Sequence, residues 1–298
     1  NHLTKKGFFI SSKSYSNYPY TLLSIPSSLN MQYLDFNNNQ ITESAKLTSQ
    51  IRYITDNNLV MKNLSENGYY MVSFFAGKEA IGSEDLINEK ICGEKYFSSH
   101  YFAKILPEER LKEKRNEILC TFKKMVEIKD KTTQPIFVYA HFALPHDPFV
   151  LNANGDLQIF EETDSNYEES KKAYIQQLKF ANKMTMDVID DILLDSNRKA
   201  IIIIQSDHGE RTKINWKNPT EEMIKQGLNN INAIYFPNTT NNFSYEKISN
   251  VNSFRIIFNE YFNTEFELLD DQYFWMESST PPFKIIDVTK IIRNGDES

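Results

Sequence analysis

Cysteine is almost absent from this chain. There are two in 298 residues, and neither Cys92 nor Cys120 belongs to a Cys-x-x-Cys pair or adjoins a histidine cluster. That spacing points neither to a zinc site nor to a disulfide framework. Glycine (9) and proline (10) are sparse and nowhere gather into a linker, so one α/β domain spanning 1–298 is expected. No apolar run reaches the roughly 18 to 20 residues that cross a bilayer, and no signal peptide opens the chain. The opening, Asn1-His2-Leu3-Thr4-Lys5-Lys6-Gly7, is a polar helix-end pattern without an initiator Met, and reads as a cut through a longer protein. Basic residues are fewer than acidic ones, 33 against 40, and lie scattered, so a polyanion finds no basic stripe. Nucleic acid is thereby excluded as a partner. Internal repeats and low-complexity segments are missing as well.

What is present is the material of a folded α/β domain, with 40% hydrophobic and 24% charged residues. Short apolar runs bounded by turn residues predict strands at Phe8 to Ser11, Tyr69 to Phe75, Ile136 to Phe142, Ala200 to Gln205 and Ile231 to Phe236. Helical periodicity predicts helices over Ser165 to Leu194, about Glu108 to Val126, and about Ile248 to Phe262. The first of these has Tyr174, Leu178, Ala181, Val188 and Ile192 inward and a capping box Ser165-x-x-Glu168. The last has Val251, Phe254, Phe258 and Tyr261 inward. A short helix starts at Asn218-Pro219-Thr220-Glu221 and is ended by Gly227. Alternating strands and helices imply a three-layer αβα sandwich with a mostly parallel central sheet, whose sites form at the carboxyl ends of strands.

Three motifs carry chemistry. The apolar strand from Ala200 to Gln205 delivers Ser206-Asp207-His208-Gly209, where a carboxylate and an imidazole on successive residues can share a divalent cation if the backbone turns sharply at Gly209. The bland reading is a capping aspartate and a loop histidine. The strand from Ile136 to Ala140 leads to His141-Phe142-Ala143-Leu144-Pro145-His146-Asp147-Pro148-Phe149. Its prolines hold the segment out of regular structure and present His146 to bind an anionic oxygen or protonate a leaving group. A satisfied core histidine is the alternative there, more so for His141. The third, Asn17-Tyr18-Pro19-Tyr20-Thr21-Leu22-Leu23-Ser24-Ile25-Pro26-Ser27-Ser28-Leu29-Asn30, places hydroxyls at a helix N-terminus, where the dipole favours an alkoxide and an attached phosphate. Ser and Thr before a helix also serve simply as caps.

In this order the three motifs resemble the sulfatase-like branch of the alkaline phosphatase superfamily, which includes arylsulfatases, lipoteichoic acid synthases and phosphoethanolamine transferases. The segment from Val251 to Phe262 looks like the C-terminal helix of bacterial sulfatase-like membrane proteins. The resemblance implies an alkaline phosphatase-like fold and a phosphoryl-ester hydrolase or transferase of phosphoglycerol or phosphoethanolamine type. Thr21 matches the transferase nucleophile and a metal ligand, and Asp207 and His208 match the Asp-His ligand pair. The metal would be Mn, Zn, Mg or Ca. His146 matches a substrate-phosphate or second-metal contact, His141 an additional histidine of the phosphoethanolamine transferases, and Arg211 offers positive charge to an anionic substrate group. The implied reaction is ping-pong through a covalent phosphothreonine.

The sequence departs from the family pattern in three places. Sulfatases proper use a Cys/Ser-x-Pro-x-Arg frame converted to formylglycine; Ser24-Ile25-Pro26-Ser27-Ser28 has the frame, with Ser28 where the arginine stands. Ser24 is therefore the alternative nucleophile, and a sulfatase the alternative enzyme. Only 20 residues precede Thr21, without the strand that carries the family's first metal ligand, and no histidine follows His208. Those losses leave open a non-catalytic domain that binds a glycan or lipid head group. The expected partners are a phosphate or sulfate ester, as a lipid head group or cell-surface glycan. The expected place is the extracytoplasmic face of the membrane, with an anchor upstream.

Overall fold

A computed structural model describes residues 2–11, 13–34, 44–76, 80–93, 108–160, 166–194, 199–211, 214–237, 248–278 and 284–294. Its elements run α1 (His2–Lys5), β1 (Phe9–Ile10), α2 (Thr21–Asn30), α3 (Ser44–Asp56), α4 (Leu59–Glu66), β2 (Tyr70–Phe74), β3 (Glu89–Ile91), α5 (Glu108–Glu127), β4 (Ile136–Ala140) and β5 (Phe149–Leu151). They continue β6 (Leu157–Phe160), α6 (Tyr167–Leu194), β7 (Ile202–Gln205), α7 (Glu221–Leu228), β8 (Asn232–Tyr235), α8 (Asn250–Phe262), β9 (Phe274–Met276), β10 (Ile285–Asp287) and α9 (Thr289–Asn294). All five expected strands form, each shorter than its apolar run, and the class is α/β as the sequence predicts.

The described residues group into two compact units, 1–63 with 200–298, and 64–199. In the first, β8 lies between β1 and β7 and pairs with both antiparallel, Ile202 opposite Tyr235 and Gln205 opposite Asn232. The chain leaves β7 at Gln205 and returns through α7, so β8 comes back beside β7 in the opposite direction. Ile234, Phe236, Ile248, Ile256 and Ile257 form the core between this sheet and α8. Val251 and Phe258 face inward as expected, whereas Tyr261 is 36% exposed and its hydroxyl donates to the Pro237 carbonyl. The polar tip keeps this aromatic at the surface. α7 is capped by Thr220, whose hydroxyl accepts from Met223 N at 3.2 Å.

In the second unit, β2 pairs parallel with β3 and β4. α5 and α6 pack over the β5–β6 hairpin through Leu111, Ile118, Phe122, Val150, Leu151 and Phe180. The buried stripe of α6 runs through Ala173, Gln177, Phe180, Val188 and Ile189, one residue round from the expected Tyr174, Leu178 and Ala181, which are half-buried. The displacement has a polar cause. Gln177 is fully buried because its Oε1 accepts from Val150 N and Leu151 N, at 2.9 and 3.2 Å. Apolar periodicity takes no account of such a residue. The expected cap Ser165 lies outside the described residues.

The two cysteines, whose spacing suggests no disulfide framework, are nevertheless paired. Cys92 and Cys120 are bonded, joining the residue after β3 to α5 with Cα atoms 5.6 Å apart. One isolated bridge has no spacing signature, so only the approach of β3 to α5 reveals it. The bond closes a loop of 28 residues, for which loop entropy gives about 3 to 4 kcal/mol. Replacing both cysteines by Ser is expected to lower the unfolding free energy by about 2 to 4 kcal/mol in urea titrations. An unchanged midpoint without reductant would show that the bond contributes nothing.

Candidate functional site

The site grows from two chain segments in the first unit. In the first, Asn17-Tyr18-Pro19-Tyr20 bends into the start of α2, with Tyr20 itself extended at φ −143° and ψ 130°, and α2 begins at Thr21. Tyr18 is fully buried, stacked on Phe274 at 5.2 Å, and Leu23 is buried beside it. That packing sets the direction in which α2 starts. Thr21 is only partly buried and is the first helical residue, at the positive end of the dipole.

The second segment leaves β7 at Gln205 and carries Ser206-Asp207-His208-Gly209. The side chains of His208 and Asp207 are 13% and 19% exposed, within reach of solvent. Thr21 Oγ1 donates to Asp207 Oδ2 at 2.5 Å, a contact between residues 186 apart in sequence. His208 Nε2 lies 3.4 Å from the same oxygen. His208 Nδ1 is 2.8 Å from the Gly209 carbonyl; because a carbonyl only accepts, Nδ1 carries the proton and, in the neutral ring, Nε2 presents its lone pair. A hydroxyl oxygen, a carboxylate oxygen and an imidazole nitrogen thus face one another.

Gly209 is glycine for a reason other than the sharp turn expected of it. Its φ is not in the left-handed region. A Cβ there would stand 2.0 Å from Gln226 O and 2.6 Å from Asn229 O, because the end of α7 crosses directly over it. Gly209 N donates to Gly227 O at 2.9 Å, tying the motif to that helix.

Arg211 follows on the same loop. Its Nη1 donates to Pro19 O at 3.1 Å, and its guanidinium lies over the rings of Tyr20 and Trp216, 5.3 and 5.9 Å from their centroids. Burial lowers its pKa, with Asp207, Tyr20 and Glu210 acting in the other direction. It holds the segment leading to Thr21 and places a cation in the field of Asp207. Ser24, one turn after Thr21, is 1% exposed and its hydroxyl has no hydrogen-bond partner among the described residues.

His141 and His146 belong to the second unit, on the connection from β4 to β5, which is neither helix nor strand, as its prolines predict. His141 directly follows β4 and is half-buried. His146 Nδ1 bonds to the Asp147 carbonyl, and its own carbonyl accepts from Gln177 Nε2 at 3.2 Å. Lys114, 4% exposed, donates to Pro148 O at 3.2 Å.

A divalent cation fits the donors of the first unit. Oxygen from Thr21 and Asp207 with the Nε2 nitrogen of His208 is a set that Mn, Zn or Mg accept. Among the described residues no group of three or more His, Cys, Asp or Glu side chains converges. Among them too, no helix is long and apolar enough to cross a membrane.

Sequence reasoning overlooked the amides around this site. Asn230 and Asn250 bond to Ser206, beside Asp207, and Asn17, on the segment that bears Thr21, accepts from Val251 N. The available signal is the density of Asn around apolar runs, at Asn229-Asn230-Ile231-Asn232 and Asn250-Val251-Asn252.

A family model described as sulfatase matches residues 1–255. The C-terminal periplasmic domain of EcEptC from Escherichia coli is similar in structure, with a TM-score of 0.59 at 12% identity, over 96% of this chain and 83% of that one. The C-terminal periplasmic domain of phosphoethanolamine transferase EptC from Campylobacter jejuni gives 0.53 at 14% identity, over 90% and 82%. No curated protein sequence matches. At these identities the structural likeness speaks for the fold, which is alkaline phosphatase-like.

Proposed function

The chain belongs to the sulfatase family and is a sulfatase-like hydrolase or transferase of the alkaline phosphatase superfamily; from that premise we propose a metal-dependent phosphoryl-ester hydrolase or transferase with Thr21 as nucleophile. The observation that carries the reading is the 2.5 Å bond from Thr21 Oγ1 to Asp207 Oδ2, made at the first residue of a helix.

Thr21 Oγ1, Asp207 and His208 Nε2 would hold the ion, which supplies charge that stabilises the threonine alkoxide and a non-bridging phosphoryl oxygen. Asp207 Oδ2 already accepts a short charge-assisted hydrogen bond from the Thr21 hydroxyl and is placed to take its proton as Oγ1 attacks. The bond from Thr21 Oγ1 to phosphorus forms as the bond from phosphorus to the ester oxygen breaks, and that oxygen takes a proton from water and leaves as an alcohol. Water or an acceptor alcohol then cleaves the phosphothreonine, and the released Oγ1 recovers a proton. The α2 dipole favours the anion on Thr21 throughout. Arg211 adds positive charge for the substrate's anionic group from its place between Tyr20 and Trp216.

The sulfatase alternative requires Ser24 to meet substrate. Its burial at 1% exposure, and Ser28 in the place of the supporting arginine, favour Thr21. A phosphoethanolamine or phosphoglycerol ester of a lipid or cell-surface glycan is the substrate class we favour. The Cys92–Cys120 disulfide supports a place outside the cytoplasm, where such bonds persist, as do the periplasmic domains that share the fold.

The test is acid quenching during turnover of p-nitrophenyl phosphorylethanolamine with Mn²⁺, then fragmentation mass spectrometry. The expected result is the transferred group on Thr21 and an unmodified Ser24. A formylglycine at Ser24, with turnover of p-nitrophenyl sulfate, would overturn the threonine reading.

A further inference from the structure

The two segments that meet at Thr21 and Asp207 are both fastened to the first two residues of α8. Asn250 Nδ2 donates to the carbonyl of Ser206, the residue before Asp207, at 3.2 Å. Val251 N donates to Asn17 Oδ1 at 3.1 Å, four residues before Thr21. Asn250 and Asn17 are each 1% exposed.

The remaining polar groups of Ser206 are used as well. Its carbonyl also accepts from Asn230 Nδ2 at 3.0 Å, its N donates to Ile231 O at 2.9 Å, and its Oγ accepts from Ile231 N at 3.1 Å. Asn230 Nδ2 further donates to Asn250 Oδ1 at 2.8 Å, which, with the bond from Asn250 Nδ2, fixes the orientation of the Asn250 amide, while Asn230 Oδ1 has no partner among the described residues. Asn17 is held from its other end, Nδ2 donating to Gln272 O at 2.9 Å. Buried amides are costly unless satisfied, and here their bonds converge on the backbone beside the two reacting side chains.

We infer that Asn250, with Asn230, is a positioning residue: the start of α8 sets the Thr21–Asp207 separation by holding Ser206 through Asn250 and Asn17 through Val251. This rests on the reading of Thr21, Asp207 and His208 as an ion-holding set. Without the Asn250 amide, the Ser206 carbonyl loses one of its two donors and the Asp207 carboxylate is no longer aimed at Thr21.

The experiment is titration calorimetry with Mn²⁺ alone, well below the melting temperature, on the parent protein, Asn250→Ala and the less buried Asn230→Ala. Turnover of the aryl ester is measured alongside. Asn250→Ala is expected to weaken Mn²⁺ binding about ten- to a hundredfold, and Asn230→Ala in the same direction, as for residues that orient metal ligands. In both, kcat falls while KM for the ester holds. If Asn250→Ala fails to fold, Asn230→Ala carries the same expectation. Folded variants that bind Mn²⁺ like the parent overturn this inference and leave the functional reading standing. A parent that binds none of Mn²⁺, Zn²⁺, Mg²⁺ or Ca²⁺ overturns both.

Discussion

Thr21→Ala is expected to lower kcat by about ten-thousandfold or more, the order seen when an enzyme loses its nucleophile. The protein should stay folded, because the side chain is only partly buried and its hydroxyl bonds to Asp207, itself within reach of solvent. Thr21→Ser keeps an oxygen at the helix start and should recover most of the activity. The measurement is metal-dependent release of p-nitrophenol, with circular dichroism to confirm the fold. The serine alternative makes the opposite forecast, an active Thr21→Ala and an inactive Ser24→Ala. Turnover that survives the loss of Thr21 ends the threonine mechanism.

The largest effect on stability is expected from Gly209→Ala. The added methyl would lie 2.0 Å from Gln226 O, 2.6 Å from Asn229 O and 3.1 Å from Asn229 N, and all three are backbone atoms that no rotamer change can move aside. Either the end of α7 or the Asp-His loop must shift. A Cβ on Gly227, near that end of α7, would likewise stand 3.0 Å from Trp275 and 3.1 Å from Ile214, so the helix is closely packed there and has little room to shift. A loss of about 3 kcal/mol or more is expected, at the upper end for overpacking. Metal-dependent turnover should fall with it, because His208 shares the displaced backbone. Equal denaturant midpoints for variant and parent would contradict the close approach.

Much of this site can be read along the chain. The run Ala200 to Gln205 is apolar enough to be a buried strand, and the residues after it must leave the sheet together, so Asp207 and His208 were legible as a pair. Thr21 was legible because a family motif names it, and its place as the first residue of α2 agrees. Other features were not legible, for identifiable reasons. The Cys92–Cys120 bond depends on β3 reaching α5, which two isolated cysteines do not encode. The first half of the α6 face was misread by one residue because Gln177, a polar side chain, is buried by its bonds to β5, whereas Val188 and Ile192 pack inward as expected. Tyr261 was placed inside by its ring and lies outside by its hydroxyl.

Local chemistry therefore settled the kinds of group present: a helix-start hydroxyl, a carboxylate next to an imidazole, and strands of β-branched residues that select the α/β class. These depend on neighbours within a few positions, and short-range sterics and hydrophobic spacing suffice to read them. The 2.5 Å meeting of Thr21 with Asp207, the amides at the start of α8, the backbone pressed on Gly209 and the antiparallel return of β8 all join residues remote in sequence. Such contacts arise when the core closes, since a distance between residues 186 apart is set by packing and loop closure rather than by local propensity.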